Sequence, residues 1–84
     1  MPKVEMYCSP SCPYCSQAEA LLIKKGVAID KKDVDAEPGL WDYIYDNLDR
    51  ETVPQIIIGE KHVGGYDDLA ELDALGELDA LLEG

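Results

Sequence analysis

Eighty-four residues, 46% of them hydrophobic, suffice for one packed domain spanning residues 1–84 and are too few for two. Seven Lys and Arg against eighteen Asp and Glu leave a net charge of −11, which opposes nucleic acid and anionic membranes as partners and reads as a solvated, self-repelling surface. Three cysteines are an odd count and too sparse for a stapled secreted scaffold; with no long apolar stretch and no basic-then-apolar opening, they predict a soluble cytoplasmic protein.

Residues 3–8 alternate, with Val4, Met6 and Cys8 on one side and Tyr7 on the other, and predict a short strand. Residues 9–12 break it. Pro13 then opens a helix whose inner face carries Ala18, Leu21 and Leu22, and which Gly26 closes after Lys24 and Lys25. Residues 27–34 mix β-branched residues with Lys31, Lys32 and Asp33, as an edge strand would. Asp35 is a candidate cap for the next helix. Leu40, Trp41, Ile44 and Leu48 recur at helical spacing with Asp42, Asp46 and Asp49 opposite, predicting an amphipathic helix over residues 37–49 with Trp41 in the core.

Residues 53–58 are almost wholly apolar, as in a strand covered on both faces, and Gly59-Glu60 turns the chain into a short strand around His62 and Val63. His62 there is expected to be structural. Gly64 and Gly65 end the hairpin, and residues 66–82 are helical in two pieces divided at Gly76. The order β-α-β-α-β-β-α demands parallel pairing across the first helix and antiparallel pairing across the tight turn. The fold class is therefore α/β, a mixed four-stranded sheet flanked by helices.

Cys12-Pro13-Tyr14-Cys15 falls where the first strand hands over to the first helix. There Cys12 meets the unpaired N–H groups of the helix start, which favour an anionic sulfur, and Cys15 lies one turn away on the same face. A C-x-x-C at a strand-to-helix junction reads as a redox pair. Zinc would need more ligands than Cys8, His62 and scattered acids provide, so no metal is expected. Cys8 extends the pattern to Cys8-x-x-x-Cys12-x-x-Cys15, the spacing of a radical iron–sulfur enzyme, but such a barrel is far larger than this chain. Cys8 reads instead as an apolar filler at a strand end.

With Cys12-Pro13-Tyr14-Cys15, Thr52-Val53-Pro54-Gln55 and Gly64-Gly65-Tyr66-Asp67-Asp68-Leu69 in this order, the whole chain resembles the small bacterial dithiol glutaredoxins. The resemblance implies a thioredoxin-like fold, catalytic Cys12 and Cys15, and glutathione as co-substrate. It also implies a cis Val53-Pro54 bond, with the Val53 N–H and C=O turned to glutathione's cysteine as an added strand. By the same resemblance Tyr14, Thr52, Val53, Pro54, Gly65, Tyr66, Asp67 and Asp68 surround the tripeptide. Asp68 would take the γ-glutamyl ammonium, Asp67 would cap the helix, and Arg50 would reach the glycine carboxylate. Ser9 departs from the family, many members of which carry Lys there.

The implied reaction is glutathione-dependent reduction of protein–glutathione mixed disulfides and protein disulfides. Its partners would be glutathione and oxidised client proteins, and the chain would act as a monomer. Two alternatives belong to other classes: a carrier of a glutathione-ligated [2Fe-2S] cluster, against which Pro13 counts, and a thioredoxin-like electron donor to one enzyme.

Overall fold

The computed structural model describes residues 3–48 and 52–83. The elements are β1 (Val4–Cys8), α1 (Pro13–Lys24), β2 (Ile29–Asp33), α2 (Leu40–Asn47), β3 (Gln55–Ile58), β4 (Lys61–Gly64), α3 (Tyr66–Ala74) and α4 (Glu77–Glu83). They form the expected mixed sheet, in the order β2-β1-β3-β4. β1 runs parallel to β2 across α1 and antiparallel to β3, and the β3–β4 hairpin is antiparallel with a bulge between Ile56 and Ile57.

The period of two along β1 and β3 divides the core. Val4, Met6 and Cys8 join Ile56 and Ile58 on one face, where α1, α3 and α4 supply Cys15, Ala18, Leu22, Leu69, Leu78 and Leu82. Tyr7 and Ile57 point to the other face and meet Val34, which follows β2, and Ile44 of α2. One helix thus covers one side of the sheet and three cover the other. β3 is buried along its whole length, as a central strand with two covered faces must be.

Several expectations need correction. α2 begins at Leu40, three residues later than its periodicity implies, because residues 34–39 are spent on turns. The Asp33 carboxylate accepts from the backbone N–H groups of Asp35 and Ala36 at 2.8 and 3.2 Å, and the Leu40 and Trp41 N–H groups reach back only three residues. Asp35 caps nothing here, and the residue before the helix is Gly39, without a side-chain cap. Trp41 is half-buried at the margin of its cluster, 6.2 Å from the ring of Tyr45. Asp49 lies outside the described residues. At the end of α1, Gly26 adopts the left-handed conformation expected of it (φ 81°). Lys25 swings away to pair with Asp73 at 2.8 Å and Asp79 at 3.0 Å, tying α1 to the connection between α3 and α4.

Candidate functional site

Cys12 is the N-cap of α1, with extended backbone and no side-chain cap, and Pro13 fills the first helical position. Proline suits that place because its missing N–H would have had no partner. The loop before it is fixed from within. The Cys12 N–H donates to the Ser9 carbonyl at 3.0 Å, and the buried Ser9 hydroxyl donates to the Asp35 carboxylate and pairs with Ser11 Oγ at 3.0 Å. Ser9 therefore serves to anchor the loop against the segment after β2.

The two thiols of the pair are unlike. Cys12 is half-exposed, and its Sγ lies 3.6 Å from the Val53 carbonyl oxygen. Cys15 is only 4% exposed, and burial pushes its thiol up to about 12 against a weaker opposing pull from the Ser9 backbone; a hydrogen bond with Cys12 raises it further. Both are free thiols. A half-exposed sulfur at a helix start beside a buried one is an arrangement in which the first is open to attack on a disulfide and the second lies within reach to resolve it.

Val53-Pro54 is a cis peptide bond, as the resemblance implied. Beside it opens a groove of about 220 Å³ lined by Tyr14, Thr52, Val53, Pro54, Gln55, Gly65, Tyr66, Asp67 and Asp68. All eight residues expected around a tripeptide are thus brought together from α1, the loop before β3 and the start of α3. Arg50 lies outside the described residues. Gly65 passes close to the Pro54 carbonyl, and Gly64, at φ 115°, leaves no room for a Cβ against the Asp68 carboxylate.

Asp67 does not cap α3. The carboxylate that reaches back to the free Gly65 N–H is that of Asp68, at 3.1 Å, because the third helical residue and not the second lies over the cap.

Gln55 is the groove residue that sequence reasoning missed. Its signal was a polar residue opening an otherwise apolar run, and it is 1% exposed. Its Nε2 donates to the Thr52 carbonyl at 2.9 Å and lies 3.4 Å from Thr52 Oγ1. Its Oε1 therefore accepts from His62 Nε2 at 2.8 Å, which fixes the proton of that ring nitrogen. His62 is structural: from β4 it holds the amide that holds the groove wall. Among the described residues no group of three His, Cys, Asp or Glu side chains could hold a metal ion, and no helix is long and apolar enough to cross a membrane.

The Glutaredoxin family model matches residues 4–63. The chain is 45% identical to glutaredoxin 3 of Escherichia coli K12 over 83 residues, which cover 99% of this chain and all of that protein. Its structure is similar to the solution structure of glutaredoxin from Brucella melitensis, with a TM-score of 0.86 and 46% identity over 98% of this chain and 89% of the other. It is also similar to the buckwheat glutaredoxin–glutathione complex, with a TM-score of 0.92 and 26% identity over 98% of this chain and 77% of the other.

Proposed function

Since the chain belongs to the glutaredoxin family, and is a thiol–disulfide oxidoreductase with a thioredoxin-like fold, we propose that its reductant is glutathione and its substrates are protein–glutathione mixed disulfides and protein disulfides. The observation that carries this reading is the groove: it gathers the eight expected residues against the Val53 carbonyl, 3.6 Å from the Cys12 sulfur.

The Cys12 thiolate attacks the glutathione sulfur of a mixed disulfide. A new S–S bond forms to Cys12, the protein thiol leaves with the electron pair of the broken bond, and a second glutathione thiolate releases the first as glutathione disulfide. On a protein disulfide, Cys15 displaces the client from Cys12 and closes Cys12–Cys15, which two glutathiones reopen. Cys15, whose thiol burial pushes up, must lose its proton to do so.

The backbone of Val53 lines the cysteine of the bound tripeptide as an added strand, and Tyr14 and Thr52 flank it. Gly65, Tyr66 and Asp67 bring the start of α3 to the γ-glutamyl carboxylate, and Asp68 faces its ammonium. That the similar buckwheat glutaredoxin was solved as a complex with glutathione supports this reading. The chain acts as a monomer on this reading.

The test is turnover of a glutathionylated small disulfide, coupled to glutathione reductase. Cys12→Ser should be inactive and Cys15→Ser should retain activity, because glutathione itself resolves Cys12. An active Cys12→Ser, or two equally inactive variants, overturns the assignment. A wild-type chain reduced by thioredoxin reductase and not by glutathione would make it a donor of another kind.

A further inference from the structure

The reaction above uses Cys12 and Cys15 and gives Cys8 nothing to do. Cys8 ends β1 on the face shared with Val4 and Met6, and it packs into the same cluster as Cys15, Ala18 and Leu22 of α1. Cys12 touches that cluster from its rim. The return from β1 to α1 is tight, since the Cys12 N–H bonds to the Ser9 carbonyl at 3.0 Å. The backbone N–H of Ser9, the residue directly after Cys8, acts on the Cys15 thiol. Cys8 and Cys15 both line a second cavity of about 270 Å³, together with Ser9, Ser16, Glu19 and Lys31. This cavity shares no lining residue with the groove beside Val53.

We propose that Cys8 is a third redox thiol, which captures Cys15 from the Cys12–Cys15 disulfide, moves the disulfide into the second cavity and sets Cys12 free. The inference rests on the dithiol reading above, which supplies the starting disulfide. Cys8, having given its proton to solvent through the cavity, attacks Cys15 Sγ as a thiolate. The Cys8–Cys15 bond forms as the Cys12–Cys15 bond breaks, and the electron pair of the broken bond stays on Cys12 Sγ, which then takes up a proton. Two sulfurs are oxidised before the step and two after it, so it needs no further oxidant.

The two ends of the starting disulfide are unequal as leaving groups. Attack on Cys12 would expel Cys15, the buried thiol pushed up to about 12 and a poor leaving group. Attack on Cys15 expels Cys12, which is half-exposed at the start of α1 and can take its proton from solvent. Burial also pushes the Cys8 thiol up; the Lys31 ammonium opposes this, while Asp33 and Glu19 add to it. Burial of the attacking thiol makes the exchange slow. It takes effect when glutathione is scarce, and it leaves an oxidised chain that still presents a free nucleophile.

The test uses the wild-type chain. It is oxidised with glutathione disulfide, desalted, incubated for increasing times, quenched in acid and unfolded, and its free thiols are labelled with a maleimide. The remaining thiols are then reduced and labelled with iodoacetamide, and fragmentation of the chain lacking a glutathione adduct assigns each label. The expected result is one maleimide per chain that moves from Cys8 to Cys12 as incubation lengthens. Maleimide that stays on Cys8 at every time, or moves to Cys15, overturns the inference and leaves the dithiol reading intact. Three maleimides throughout would mean that no internal disulfide forms, and would overturn both.

Discussion

At the scale of single residues, the contrast between Cys12 and Cys15 has a consequence for stability as well as for chemistry. The Cys15 thiol is raised from 9.0 to about 12 in the fold, so between those values the folded reduced chain holds a proton that the unfolded chain has lost. Its contribution is complete below about pH 9 and disappears as pH rises through about 12. Thermal melts of the reduced protein should therefore fall from about pH 9 upward, and more steeply than melts of the oxidised protein, in which Cys15 has no proton to lose. Parallel curves for the two forms would show that Cys15 is not the group responsible. Asp68 carries a second expectation, because its carboxylate holds the Gly65 N–H and also faces the proposed ammonium site. Asp68→Asn keeps the shape and removes the charge, and should weaken glutathione binding by about 1–3 kcal/mol, read as a raised KM for glutathione with the melting temperature little changed. An unchanged KM would place the ammonium elsewhere.

Between elements, the groove wall is only as firm as the amide behind it. Gln55 at the start of β3 is satisfied from both ends, by Thr52 in the preceding loop and by His62 across the hairpin. His62→Leu leaves a buried carbonyl oxygen without its donor and should cost about 1–3 kcal/mol of stability, measured by denaturant unfolding, with a looser fit for glutathione. A variant as stable as wild type would show that the contact is dispensable. This contact also marks the limit of what the sequence discloses. Period-two alternation in residues 3–8, the Gly59-Glu60 turn and the break at Gly76 are local signals, and each element they foretold is present. The cysteine pair, the cis proline and the groove residues were legible because three short motifs carry them. Bonds between distant stretches were not legible: Ser9 with Asp35, Lys25 with Asp73 and Asp79, and Gln55 with His62 depend on how elements meet. The two helix caps were misplaced for a related reason. Which of several nearby carboxylates reaches an N–H depends on turn geometry: Asp68 holds the position expected of Asp67, while Asp33 ties down the turn before α2 and leaves that helix without a side-chain cap.

For the molecule as a whole, a net charge of −11 acts on whatever approaches the groove. Glutathione, the proposed reductant, is itself a net anion, so on that reading the chain's field slows its arrival, and salt screens that field over roughly 8–10 Å. The kcat/KM for glutathione should rise as ionic strength goes from about 0.02 to about 0.2 M, while reaction with a cationic disulfide such as cystamine should fall. Slopes of the same sign would show that the net charge does not steer encounter. The sheet order bears on a different hazard. The run Ile56-Ile57-Ile58 has the composition of segments that stack into cross-β fibrils, yet it lies third of four, hydrogen-bonded to β1 on one side and β4 on the other. The outward edges fall to β2, which carries Asp30, Lys31, Lys32 and Asp33, and to β4, four residues long and joined through a bulge. Charged, short or irregular edges make poor templates for another chain, so the native protein is guarded against fibril growth at both margins, and its exposure to aggregation is confined to the interval before β1 and β4 have closed around β3.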